Sequence, residues 1–323
     1  FFGIWYILIG IIYRIPVPVE PMKAMGAIVI AEGLLQGEIV AAGILTGIIL
    51  LIIGLLGGMR YMQKLIPEPV IRGIQLGLAF ILVRTALPFM VQDPVFSAVG
   101  IAIILAFLVA GLRRQVPNLA ALLVIVLGVA AGIASSGMPS FHMLEPLRLI
   151  LPPVSLYLPA VWDLVIPQMP LALTNATLAT ALLARDLYGR DIPPDRLAMT
   201  IGAMNIVSVP FGGFPMCHGA GGLAAHYRFG ARTGGGNIIG GIILLGAAVF
   251  FATPAAIQSI PVGIFGALLV FVALELGKNA LKTDSLPVTG IMGVIAVLAS
   301  MTVAFLAGII LIKVIHASKP RPE

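Results

Sequence analysis

The sequence predicts an all-α polytopic membrane protein whose two halves repeat in opposite orientation around two interrupted helices. Three observations carry this: an extreme apolar composition, a Pro-x4-Pro-Met motif that occurs twice, and a one-sided distribution of cationic residues. Of 323 residues, 60% are hydrophobic and 10% charged, and the mean hydropathy is +1.11. A soluble domain needs far more charge on its surface, and each helix that crosses a bilayer needs about 20 apolar residues. The apolar runs lack the alternation that the strands of a membrane β-barrel would show.

Taken in order, apolar segments are expected at roughly 1–14, 22–36, 39–57, 70–88, 95–112, 117–135, 160–184, 197–208, 215–230, 234–252, 255–275, 285–301 and 302–316. The segments beginning at 22 and 215 are short, and each follows a proline-rich stretch. The loops after 57, 112, 184, 230 and 275, with the C-terminus, hold Arg60, Lys64, Arg72, Arg113, Arg114, Arg185, Arg190, Arg196, Arg228, Arg232, Lys278, Lys282, Lys313, Lys319 and Arg321, 15 of the 19 Lys and Arg. Alternation of the segments puts all of them on one face, and the opposite loops keep Arg148. Such an excess marks the cytoplasmic side, so the C-terminus is expected in the cytoplasm and the protein in the inner (plasma) membrane. The same bias accounts for the net charge of +6 without a nucleic-acid partner. In this layout Phe1 lies outside, so a first helix running from inside to outside is expected to be missing. The one cysteine, Cys217, excludes an intramolecular disulfide.

Ile15-Pro16-Val17-Pro18-Val19-Glu20-Pro21-Met22 returns as Val209-Pro210-Phe211-Gly212-Gly213-Phe214-Pro215-Met216. Seven segments run from the first copy's helix to the second's, an odd number, so the second enters from the opposite side. Paired broken segments in an inverted repeat point to a transporter's central site. Pro16, Pro18 and Pro21 enforce an extended approach, Gly212-Gly213 supplies unusual backbone angles, and Pro21 and Pro215 suit first helical turns. Two half-helix N-termini facing one cavity would offer unpaired amides and partial positive charge to an anion. The expected donors are the backbones of Met22–Met25 and Met216–Gly219, with Lys23 adding a full charge. The blander reading has Lys23 snorkelling to an interface.

Cys217 and His218 supply at most two ligands, so no metal and no other cofactor is expected. His218 reads as a hydrogen-bond donor or proton carrier, or else as a packing histidine. In 160–184, Gln168 and Asn175 are two turns apart on one face. Gln168 lies by the bend expected at Pro170 and is assigned to the site, and Thr174 and Asn175 are secondary, with Asn175 also suited to gluing helices together. Glu32 and Arg84 lie in apolar segments, either as functional groups or at helix ends. Gly43/Gly47, Gly54/Gly58 and Gly236/Gly240 read as close-packing seams.

Pro16 to Ala24, Gln168 to Asn175, and Phe211 to Gly222 with its Pro-Met-Cys-His-Gly-Ala-Gly-Gly string resemble the molybdate transporter family, a branch of the sulfate permease superfamily; Arg228 to Gly235 is similar too. The resemblance runs through the whole chain. It implies two inverted seven-helix repeats, the fold shared with uracil–proton symporters. It also implies a core domain from the first four helices of each repeat (1–57 and 160–252) and a gate domain from the last three (58–159 and 253–323). The anion would sit between the half-helices, against the helix carrying Gln168. The family's pattern has Gln where this chain has Glu20. A carboxylate there would repel a dianion unless protonated or paired, so Glu20 is expected either to pair with Lys23 or Arg14 or to carry a coupled proton.

The expected function is secondary active transport of a tetrahedral oxyanion, molybdate first and sulfate second, by alternating access. The site would use Pro21, Met22, Lys23, Gln168, Pro215, Met216, Cys217, His218 and Gly219, with Glu20 and His218 available for proton coupling. Membrane lipid and a second copy in a homodimer are the further expected partners. A nucleobase permease of the same fold would want a carboxylate at the position of Gln168. A membrane-embedded enzyme would need a nucleophile–base set or a metal cluster, of which Cys217-His218 supplies little.

Overall fold

The computed structural model describes residues 1–62, 66–113, 118–138, 147–251 and 253–318. Lys64, Arg114, Lys319 and Arg321, and the end residues of the expected segments 117–135 and 234–252, lie outside the described residues.

Helix α1 (Phe2–Tyr13) stops at Arg14, which adopts the left-handed conformation at φ 58°. Pro16 forbids a further helical turn, and the chain runs extended into a two-residue strand, β1 (Glu20–Pro21). Helix α2 (Lys23–Glu32) ends on Gly33 at φ 66°, a position that favours glycine, and α3 (Gln36–Leu55) follows. Glu38 Oε2 accepts the Leu35 amide at 2.9 Å and so caps the start of α3. A short α4 (Met59–Met62) precedes α5 (Glu68–Gln92), α6 (Pro94–Arg113) and α7 (Ala120–Ser136).

The second half opens with α8, continuous over Val154–Tyr188, followed by α9 (Pro194–Ser208) and the strand β2 (Met216–Cys217). Then come α10 (Ala220–Arg228), α11 (Gly235–Phe251), α12 (Pro254–Ser259), α13 (Val262–Ala280), α14 (Leu286–Leu298) and α15 (Met301–Ser318). Five of these, α3, α5, α6, α8 and α13, are long and apolar enough to cross a bilayer by length and composition.

Several expectations are corrected. The segment 255–275 is two helices, because Pro261 keeps Ile260 extended (φ −71°, ψ 127°) and α13 starts afresh to run as far as Ala280. The last two segments part at Ala299, whose φ −124° and ψ −87° lie outside the helical region. Helix α8 runs on through Pro170, widening into π-helical turns at Val161–Val165 and Ala172–Ala179, on either side of Pro167 and Pro170. Wider turns relieve the crowding of a proline ring. Threonines here also donate to backbone carbonyls: Thr174 to that of Pro170 at 2.7 Å, Thr180 to that of Asn175 at 2.9 Å, and Thr177 to that of Leu173.

The packing has the symmetry of an inverted repeat. Helix α1 lies along α11 as α9 lies along α3, and α5 lies on α14 as α13 lies on α6, while α5 and α13 pack on each other. Exchanging α1 with α9, α3 with α11, α5 with α13 and α6 with α14 maps these contacts onto themselves. The symmetric seams are lined with glycine, which lets backbones approach closely. A methyl added at Gly10 would lie 2.6 Å from the Gly234 carbonyl oxygen, at Gly3 2.7 Å from that of Gly241, and at Gly54 2.6 Å from that of Asp195. Gly43 and Gly47 line the α3 seam as expected, but the α11 seam runs through Gly234 and Gly241 rather than Gly236/Gly240. Gly240 meets nothing within 4 Å, and Gly58 meets only Ile53 beside it in the chain.

Two packing groups result. One holds α1–α3 and α8–α11, the other α5–α7 and α13–α15. Within the second, Ile104, Ala120, Val124, Ile264 and Ala267 form a small separate core. The groups meet where α2 and α8 touch α5 and where α15 touches α8.

Candidate functional site

The two proline-rich stretches meet each other. Glu20 pairs with Cys217 and Pro21 with Met216 in antiparallel register, and the Met22 amide donates to the Pro215 carbonyl at 2.9 Å. Pro21 and Pro215 therefore do not open the half-helices, as their sequence position suggests. They belong to a bridge between the breaks, and the helices begin later, at Lys23 and Ala220. The reason is that broken backbone inside a membrane must find partners within the protein, and two breaks side by side supply them to each other.

Asn205, from α9, fixes the second break. Its Nδ2 donates to the carbonyls of Met216 at 2.7 Å and Ile201 at 2.8 Å, and its Oδ1 accepts the Met216 amide at 2.9 Å. Asn237, from α11, donates to the Val17 carbonyl at 2.5 Å, and His226 Nδ1 to that of Pro16 at 2.7 Å, which fixes the first break. Sequence reasoning missed these three residues. The available signal was an amide in each of the apolar segments 197–208 and 234–252.

At the first half-helix, the buried Gln168 turns its Oε1 to the α2 N-terminus, accepting the amides of Ala24 at 3.0 Å and Met25 at 3.4 Å. At the second, the Glu20 carboxyl covers the first turn of α10. A methyl added at Gly219 would lie 2.8 Å from Glu20 Cδ, and one at Gly222 would strike the carboxyl and lie 2.9 Å from Pro18 Cγ. Lys23 Nζ lies 2.8 Å from Glu20 Oε2. That oxygen is buried and receives no hydrogen bond of good geometry, so the contact is an ion pair by distance alone. The Lys23 side chain is 38% exposed and that of Glu20 18%, so the pair is partly buried, its carboxylate more than its lysine.

Met22 and Met216 are fully buried, and their amides, expected as anion donors, are taken by the Pro215 carbonyl and by Asn205 Oδ1. Cys217 is buried, its Sγ 4.0 Å from the Pro21 carbonyl oxygen. His218 is buried too, and both ring nitrogens are engaged: Nδ1 at 2.8 Å from the Pro18 carbonyl oxygen and Nε2 at 2.8 Å from Thr200 Oγ1. A neutral ring meets both partners if Nδ1–H donates to the carbonyl and Nε2 accepts from the hydroxyl. Tyr13 extends this network, its hydroxyl lying 2.8 Å from Thr200 Oγ1. Among the described residues no three His, Cys, Asp or Glu side chains gather as metal ligands do.

Thr174 and Asn175 do not reach the half-helix ends. They line a cavity of about 930 Å3 with Gln75, Arg72, Arg185 and Asp191. A second cavity, of about 490 Å3, is lined by Glu32, Arg84 and Asp163, together with Ser300 and Thr302. Along α8, Gln168 falls between Asp163 in one cavity and Thr174 in the other, roughly 8–9 Å from each by helical rise. The paired half-helix ends thus sit between two vestibules, on the helix that both vestibules share.

An inverted repeat with two interrupted helices abutting at their breaks defines a class of membrane transporter. The structure resembles the transmembrane domain of a cyanobacterial bicarbonate transporter, BicA, with a TM-score of 0.67 at 17% identity over 92% of this chain and 85% of that one. It also resembles SLC26A9, with a TM-score of 0.65 at 13% identity over 88% of this chain and 51% of that one. The model of the family described as "Molybdate transporter of MFS superfamily" matches residues 1–82 and 160–276. Molybdate transporter 2 of Arabidopsis thaliana is 30% identical over 96% of this chain and 79% of its own length, and Molybdate transporter 1 of that plant is 31% identical over 87% and 72%. The chain belongs to the molybdate transporter family. Its fold is that of the SLC26 and BicA membrane domains.

Proposed function

We infer that the protein is a secondary active transporter of a tetrahedral oxyanion, molybdate first and sulfate second, working by alternating access. The observation that carries this is the meeting of the α2 and α10 N-termini beside Lys23, between two vestibules. Each helix end brings about half a positive charge and first-turn amides, and Lys23 brings a full charge, which together suit a dianion. The relatives' names, molybdate transporters, supply the substrate class.

In this reading the oxyanion takes the Ala24 and Met25 amides that Gln168 now satisfies, and Gln168 turns its amide group to the ligand. The bridge residues Pro21, Met22, Pro215, Met216 and Cys217 form the floor, and Gly219 gives the ligand access to the α10 backbone. His218 holds the second break in place through Pro18 and Thr200. Thr174 and Asn175 line the path beyond, where Arg72 is paired with Glu68 at 2.7 Å and Arg185 and Asp191 complete the wall. The group α1–α3 with α8–α11 (residues 1–57 and 160–252) is the moving core. The group α5–α7 with α13–α15 (within 58–159 and 253–323) is the gate. The cation-rich face, the C-terminus and the Arg72–Arg185 vestibule are cytoplasmic, in the plasma (inner) membrane.

Uptake of labelled molybdate into proteoliposomes tests the reading. Saturable uptake that sulfate inhibits and uracil does not is expected. Uptake of uracil instead, or no saturable molybdate uptake, would overturn it.

A further inference from the structure

We propose that Glu20 is a built-in occupant of the oxyanion site, and that the substrate anion takes its place only as Glu20 binds a proton. This rests on the oxyanion reading above and adds how the site is vacated.

The Glu20 carboxyl does what a bound oxyanion would do. It lies over the first turn of the second half-helix, where Gly219 and Gly222 leave no side chain to hold it off, and it pairs with Lys23 at 2.8 Å. Helix N-termini favour anions at this position. While Glu20 is ionised, Lys23 is neutralised and the α10 N-terminus is taken. An arriving dianion would face a carboxylate across a few ångströms of poorly screened space. Adding a proton to Glu20 removes one negative charge, frees Lys23, and converts an acceptor oxygen into an O–H donor toward the ligand. The balance is one carboxylate, one proton and one oxyanion going to one carboxylic acid with the oxyanion bound beside it.

Each neighbouring element contributes titratable or charged groups. Lys23 faces Glu20 from α2, Tyr6 from α1, Cys217 from β2, and His218 from the turn before α10. His218 has both nitrogens engaged, and Cys217 is buried. Among these, Glu20 is the carboxylate and the direct competitor for Lys23.

The test counts protons on binding. Calorimetry of molybdate binding to the purified protein, repeated in buffers of different ionisation enthalpy between about pH 5 and 8, gives the number taken up. Sulfate, which carries no proton in that range, serves as a second probe. Wild-type protein should take up close to one proton per anion, with affinity falling by up to about tenfold per pH unit as the pH rises. Glu20→Gln, which keeps the shape and removes the acid, should bind with no proton uptake and a flat pH profile. Wild-type binding without proton uptake overturns the proposal, as does undiminished proton uptake in Glu20→Gln. Binding of neither anion by either protein at any pH overturns the oxyanion reading, and the proposal with it.

Discussion

Lys23 stands one residue past the first break, ion-paired to Glu20 at 2.8 Å, with its side chain 38% exposed. A lysine with that much freedom contributes little to the packing of α2, whose buried face is Ala24, Met25, Ala27 and Ile28. Lys23→Ala should therefore leave the melting temperature in detergent nearly unchanged and weaken molybdate binding by about tenfold or more, the worth of a charge-assisted hydrogen bond. Equal affinity of mutant and wild type would remove Lys23 from the site. The Glu20–Lys23 pair was one of the pairings the sequence offered, since the two charges lie only three residues apart across the break. Gln168 was legible as a polar residue out of place, but not as the acceptor for Ala24 and Met25, which lie more than 140 positions away. Asn205, Asn237 and His226 went unread for a related reason. Their partners are carbonyls and amides of the breaks, and a backbone group leaves no mark in composition.

At the scale of elements, proline placed both breaks correctly and misled about where the half-helices begin. Pro21 and Pro215 fit a first helical turn locally, yet the two breaks lie side by side and pair as strands instead. Around Pro170, α8 continues in widened turns, with Thr174, Thr177 and Thr180 donating to its carbonyls. Both outcomes depend on satisfying backbone groups in a medium without water, which a local rule does not see. The glycine seams were readable on α3 and wrong in register on α11. A spacing of four names a helix face, but every such face of an apolar helix looks alike until its neighbour is placed. The α3–α9 seam gives a direct check. A methyl at Gly47 would lie 2.9 Å from Asn205 Cβ and 3.2 Å from the Gly202 carbonyl oxygen. Gly47→Val should destabilise the protein by about 1–3 kcal/mol through overpacking, read as a lower melting temperature. It should also weaken anion binding, because Asn205 carries the second break. A mutant with wild-type stability would show that the seam is looser than the packing indicates.

At the scale of the whole molecule, composition, the repeated motif and the cation bias were enough to reach an inverted-repeat membrane fold. They were enough because the bilayer leaves few alternatives: helices must span it, and their ends must sort by charge. The vestibules were not legible, since each is assembled from helices of both packing groups. Gln168 between them, with a half-helix end on each side of the bridge, makes one place where, in the proposed reading, an oxyanion would meet both repeats at once. Crystals grown with molybdate and measured at the molybdenum absorption edge test this most directly. The account predicts an anomalous peak between the N-termini of α2 and α10, within hydrogen-bond reach of Lys23 Nζ and the Ala24 amide, with Gln168 and Glu20 moved aside. A peak confined to the Arg72–Arg185 vestibule or to the Arg84 vestibule, with the half-helix ends still capped by Gln168 and Glu20, would contradict it.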